Sequence, residues 1–272
     1  MKDRFFQGCS KFKRQEILQT DLQNERKVSK VVNKKSLWGI FMELINQIFA
    51  KENVNSGRQM EIDLAKVVFV LMVAAVHITI DCVPEEALST GLPYVFDSVI
   101  GGPMIAPGLM FAMGACLVYS RRQGWKDIFH RGIFIFILGF VLNLCRYTIP
   151  DLIGYAISGD AERYLDPILY QTFNNDIFQF AGLALMTIAL FLKLKLKDGV
   201  MVGIALLGSM AGTLLNGVDV GSVSGNMILG YFVGVEDAAG EVLSYFVYLN
   251  WLIMPVSGYV FGKLLKLSLI HI

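Results

Sequence analysis

Asp63, Lys66 and His77 are the ionisable residues of an otherwise apolar stretch, 62–80. Such residues inside an apolar segment of this length are costly in a bilayer and mark function. In a helix, the eleven steps from Lys66 to His77 return to within about 20° of the same face at an axial distance of about 16 Å. Asp63 lies on that face too, so one stripe joins an acid–base pair at one end to an imidazole at the other. Asp81, one turn beyond, is placed to orient the ring. A positioned imidazole removes a hydroxyl or amine proton at neutral pH, which makes His77 the candidate general base and Asp63 and Lys66 its companions. The spacing suits a hydrogen-bonded interhelical histidine equally well, and a lysine this close to a helix end also snorkels to the interface.

A second cluster, Arg121, Arg122, Lys126, His130 and Arg131, suits phosphate groups because guanidinium forks hold them in bidentate fashion. It equally suits the cationic flank of a membrane span. Asn143 and Arg146, three residues apart, are placed to reach the cavity of His77. Asn175 and Asp176 open a later apolar segment, as substrate contacts or as a helix cap. Together with Asp81 these form the candidate substrate-binding set. Cys9, Cys82, Cys116 and Cys145 lie far apart without a C-x-x-C spacing. They read as isolated thiols, so no metal site is expected.

The elements that carry these residues follow from composition. Of 272 residues, 54% are hydrophobic and 17% charged, with a mean hydropathy of +0.54. Soluble globular chains carry about 25% charged residues. Apolar blocks long enough to cross a bilayer recur at 62–80, 99–119, 132–149, 176–192, 199–215 and 242–264, predicting an all-α bundle of six spans. The segment 227–235 is too short to cross, and Gly101-Gly-Pro-Met-Ile-Ala-Pro107 is expected to bend the start of the second span.

Residues 1–58 hold 12 basic and 6 acidic side chains. Residues 1–35 read as a polar tail beside anionic lipid, without the apolar core of a signal peptide. Leu37, Trp38, Phe41, Ile45, Ile48 and Phe49 then recur at helical steps, which predicts an amphipathic interfacial helix. The division expected is a basic cytosolic region over 1–57 and a transmembrane region over 58–272. With the N-terminus inside, 21 basic residues fall on the cytosolic side and 2, Arg146 and Arg163, on the other. The asymmetry predicts a multi-pass protein of the cell membrane with a cytosolic N-terminus.

Ile62-Asp63-x-x-Lys66, ten residues and His77 resemble the first-helix signature of the integral-membrane acyltransferases. These are the acyltransferase-3 group and its relative containing the heparan-α-glucosaminide N-acetyltransferase domain. Lys66 stands where the family pattern has arginine, which keeps the charge and loses the fork. Phe111-Ala-Met-Gly114, the basic loop ending His130-Arg131-Gly132, the stretch 136–143 and Asn175-Asp-Ile-Phe-Gln-Phe-Ala-Gly-Leu183 resemble the next three helices. The likeness covers about residues 58–195.

It implies transfer of an acyl group, commonly acetyl, from a cytosolic acyl-CoA to a glycan or other cell-envelope acceptor. His77 would be the catalytic residue, and Arg121, Arg122, Lys126 and Arg131 the coenzyme A phosphate site. It also implies more spans than six, so a C-terminal part is expected to be missing. Lipid and an envelope acceptor are the partners implied, and nucleic acid is not. The competing reading from the residues themselves is a secondary transporter that uses Asp63, Lys66 and His77 as an ion or substrate path.

The orientation is checked by cysteine accessibility. In a background with the native cysteines replaced, Cys introduced at position 160 is expected to label from outside and Cys at position 124 to be protected. The reverse pattern overturns the topology.

Overall fold

A computed structural model describes residues 37–88, 90–235, 244 and 246–268. The expected tail over 1–35 lies outside them. The described residues divide into two compact units, one of 37–54 and 267–268, the other drawn from 55–266. In the first, a helix forms over Leu37–Ile48 (α1), where an amphipathic one is expected, leaving Phe41 and Leu44 exposed. An antiparallel bridge joins Phe49 to Ser268, and the Ala50 amide donates to the Leu267 carbonyl at 2.7 Å.

The second unit is all helical apart from one isolated bridge, Asn175 to Ser244, among the described residues. Its main helices are α2 (Met60–Cys82), α3 (Ala106–Tyr119), α4 (Trp125–Asn143), α5 (Ile149–Ser158), α6 (Ile177–Lys193), α7 (Asp198–Leu214), α8 (Val223–Gly230) and α9 (Ile253–Leu267). Two π-helical segments, Val95–Ile105 before α3 and Leu144–Thr148 between α4 and α5, lie mostly inside the spans expected at 99–119 and 132–149 and keep the chain helical there. The first contains the Gly101-Gly-Pro segment expected to bend the span. The second carries α4 onward into α5, so 150–175, expected as a loop, is largely helical.

Three helical runs among the described residues are long and apolar enough to cross a membrane: Met60–Ile80, Gly91–Tyr119 and Trp125–Ser158. The fourth and fifth expected spans form α6 and α7, of 17 residues each. At 1.5 Å per residue that is about 26 Å, slightly short of a hydrocarbon core of about 30 Å. In the sixth, a turn over Tyr248–Trp251 precedes α9.

The core gathers on α6, whose Phe180, Ala184, Leu185, Ile188 and Ala189 are buried against Met110, Ile128, Met201 and Val256 from the surrounding helices. The most extensive packing is between α4 and α6. By contrast, α2 packs on the π-helical segment and α3 alone among its stronger contacts, and only 6% of its apolar window is buried. Its outer face of Leu64, Val67, Val68, Leu71 and Ile78 is exposed, which suits lipid.

Helices α3 and α9 meet at glycines. A Cβ on Gly258 would fall within 3.0 Å of backbone atoms of Phe111, and one on Gly114 would strike the backbone of Pro255. Small residues allow this backbone approach, and packing of this kind is what drives helix association in lipid. Gly258→Val is therefore expected to destabilise the fold by about 1–3 kcal/mol through overpacking. Gly203→Ala on α7, where a Cβ meets nothing within 4 Å, is expected to be neutral or stabilising. Thermal melting of both variants in detergent checks the contrast, and equal melting temperatures refute it.

Candidate functional site

The first two turns of α2 carry Asp63 and Lys66 on one face, and three residues of separation bring their ends together: Lys66 Nζ lies 2.7 Å from Asp63 Oδ1. Arg58, in the loop before the helix, donates from Nε to the other carboxylate oxygen at 2.6 Å. That loop is held by paired amides. Asn55 Nδ2 donates to Gln59 Oε1 at 3.1 Å, while Gln59 Nε2 donates to Asn55 Oδ1 at 2.8 Å and to the Gly57 carbonyl at 2.9 Å. The expected acid–base pair is thus a triad, with Arg58 as the member that the spacing of Asp63 and Lys66 does not point to.

This cluster lines a cavity of about 360 Å³, whose walls also include Cys116, Tyr119, Ser120 and Arg131. Next to it a depression of about 620 Å³ is lined by Ser120, Arg121, Arg122, Asp127, His130, Arg131 and Phe134. Ser120 and Arg131 belong to both, and Arg131 Nη1 approaches Ser120 Oγ at 3.4 Å. The turn that makes this possible is folded by Gln123, whose Nε2 donates to the carbonyls of Val118 at 2.7 Å and Ser120 at 2.8 Å. These are end carbonyls of α3 that lack helical partners. The basic segment is only half a loop, because α4 begins at Trp125. That start displaces Lys126 from the set: its ammonium sits 5.6 Å from the Trp125 ring centroid, a ring that Lys193 also approaches at 5.1 Å.

A second polar group forms where α4 meets the start of α6. Asn143 is 2% exposed and its Nδ2 donates to the carbonyls of Thr172 at 3.2 Å and Asn174 at 3.0 Å. Asp176 caps α6, accepting from the Ile177 amide at 2.6 Å, and pairs with Arg146 at 3.2 Å. Asn175, fully buried, donates to the Phe246 carbonyl at 2.7 Å. One turn further, Gln179 is fully buried with neither amide atom partnered among the described residues, lying where Gly139 leaves room for it. A polar residue four positions after Asn175 in an apolar segment was a readable signal for this addition.

His77 joins neither group. It is exposed on the flank of α2, lines neither cavity, and no hydrogen bond or ion pair links it to Asn143, Arg146, Asn175 or Asp176 among the described residues. Asp81 lies in the last turn of α2. The stripe predicted from Asp63 to His77 exists as a helical face. The imidazole is not among the residues lining either of these two cavities.

The family model for the catalytic region of heparan-alpha-glucosaminide N-acetyltransferase matches residues 58–270, which takes in every helix from α2 to α9. The chain belongs to this family. No curated protein and no solved structure matches it. Membership makes the chain a membrane acetyltransferase in general terms, and both polar groups lie within the matched region. The match runs well past the 58–195 over which the resemblance was readable. The region added, α7 to α9, is the one whose Gly258 packs on α3 and supports the cavity wall.

Proposed function

We propose that the chain transfers an acetyl group from acetyl-CoA, bound at the arginine-lined end, to a glycan or other envelope acceptor on the far side of the membrane. What carries this reading is the adjacency of two spaces. A depression with three arginines and a histidine shares Ser120 and Arg131 with a cavity where a cation pair brackets a carboxylate, inside a region that matches an acetyltransferase family.

Each part of the site has a task in that reaction. Arg121, Arg122 and Arg131 present forked donors to the phosphates of the donor. Lys126, engaged with Trp125, contributes positive charge from the rim. Asp63 fixes Lys66 and Arg58 in the cavity wall, so that their charge stands ready without reorganisation when an anionic group enters. On the acceptor side, His77 removes the proton from the attacking amine or hydroxyl, Asp81 orients its ring, and Asn143, Arg146, Asn175 and Asp176 position the acceptor. Acetylation of an amine written in full takes the acetyl carbon from the coenzyme sulfur to the acceptor nitrogen and leaves the coenzyme as its thiol.

Replacing Arg121 and Arg122 together with glutamine is expected to weaken acetyl-CoA binding at least about tenfold, since a hydrogen bond to a charged group contributes about 1.5–3 kcal/mol. Equilibrium binding to the purified protein, with insertion verified, measures it. Unchanged binding would return the loop to a purely topological role.

His77→Ala is expected to lower transfer of label from acetyl-CoA in membranes by about 10²- to 10⁴-fold, the usual contribution of a positioned acid–base group. Its exposure means that little packing is lost, so melting should stay close to the parent. Retained activity sinks the assignment of His77 as the base.

A further inference from the structure

Trp125 opens α4, and two ammonium groups converge on its half-buried ring: Lys126 Nζ lies 5.6 Å from the centroid and Lys193 Nζ 5.1 Å. The first contact follows from adjacency in the chain. The second depends on the fold. Helices α4 and α6 run antiparallel with almost no side chain between them: a Cβ on Gly132 would fall 2.8 Å from the Gly182 carbonyl oxygen, and one on Gly139 would strike Gln179. Met186 lies against Gly132, and Lys193 follows it two turns later on the same face of α6. That register brings the last turn of α6 to the first turn of α4. Among the described residues, no carboxylate pairs with either ammonium.

A cationic flank for a membrane span needs lysines on this side, not two of them on one indole. Gathering two like charges without a counter-ion is unfavourable, and an anion beside them relieves it. Each lysine is a point charge with three donors on a flexible stem, so both can close on one phosphate group. Their surroundings indicate which phosphate. Phe129, Ile133 and Ile137 follow Lys126 at steps of three, four and four along α4, and all three are exposed. They belong to the run Trp125–Ser158, long and apolar enough to cross a membrane. Leu190, one turn before Lys193 on α6, is exposed too. Each lysine therefore stands at the edge of an exposed apolar strip on its own helix, with a tryptophan between them of the kind that marks the interface. A soluble phosphate would use the ammonium groups and leave the apolar strips idle. A phospholipid uses both.

We propose that Trp125, Lys126 and Lys193 bind the headgroup phosphate of an anionic phospholipid, whose acyl chains lie along Phe129, Ile133 and Leu190. This end of the helices is the one expected to face the cytosol, the side whose leaflet carries anionic lipid. The site is separate from the arginine-lined depression, because neither lysine lines it. The bound lipid ties the end of α6 to the start of α4, the most extensively packed pair of helices.

The test titrates the purified full-length protein in detergent with dioleoylphosphatidylglycerol or dioleoylphosphatidylcholine and counts bound lipid by native mass spectrometry. One phosphatidylglycerol is expected to bind at least about tenfold more tightly than phosphatidylcholine, and neither sn-glycerol 3-phosphate nor coenzyme A should displace it. Lys126→Gln combined with Lys193→Gln should abolish the preference, since one lysine beside an anionic lipid contributes about fivefold. Lys193→Gln alone, at an exposed helix end, should lower phosphatidylglycerol affinity about fivefold, and Lys195→Gln in the turn just beyond by less than about twofold. Equal affinity of the parent for the two lipids overturns the proposal whether or not the variants fold. Displacement by glycerol 3-phosphate would make this a site for soluble phosphate, and displacement by coenzyme A a part of the donor site. A loss from Lys195→Gln equal to that from Lys193→Gln would make the attraction a diffuse surface field. Each of these three results overturns it as well.

Discussion

A carboxylate set into an apolar helix is tolerated only beside cations, and Asp63 is flanked by two of them, Arg58 at 2.6 Å and Lys66 at 2.7 Å. The demand for partners fixes more than one side chain. It pulls the loop before α2 back toward the helix, where the paired amides of Asn55 and Gln59 hold it. It also turns the Lys66 stem across the face of α2 that packs on α3. The cavity with Cys116 and Tyr119 exists because the ion cluster keeps polar groups between these two helices at the very end where apolar packing stops.

The second condition is close approach without side chains in the way. Along the contact of α2 with the π-helical segment and α3, a Cβ on Gly101 would crowd Val76 and one on Gly108 would crowd the Phe69 ring. The two helical segments therefore run antiparallel in a fixed register. Continued by about two turns, that register carries the first turn of α2 to the level of Cys116 and Tyr119. Dispersion contacts, not burial from water, hold this arrangement in lipid, so the match of shapes decides where the functional side chains meet.

Much of this was legible in the chain. Hydropathy blocks gave the apolar helices, helical spacing put Asp63, Lys66 and His77 on one stripe, and Asn175-Asp176 was readable as the start of α6. What escaped depended on how helices meet. The π-helical segments obey neither a period of 3.6 nor a break, so α4 and α5 were read as one helix followed by a loop. Cys116 and Tyr119 sit in apolar sequence like any other core residues. Only the register between α2 and α3 gives them polar neighbours. The displacement of Lys126 onto Trp125 follows from α4 starting seven residues earlier than the expected span, a boundary that hydropathy cannot place because Lys126, Asp127, His130 and Arg131 are polar whether helical or not.

Polar chemistry is thereby divided along α2. Asp63 and Lys66 mark one end, and His77 lies about 16 Å further along the axis. Between them, Val70 and Val73 fall on the same stripe, within about 80° of arc, at the border between the packed face of α2 and its exposed apolar face. Phosphates are best held at the arginine end, and a reacting carbonyl has no polar partner on that stripe until the imidazole. A donor held by Arg121 and Arg122 therefore serves His77 directly only if its uncharged arm lies over these two valines, an apolar floor that offers it no hydrogen bonds. The separation of Lys66 from His77 on a single helix therefore sets the length that a ligand spanning both must have.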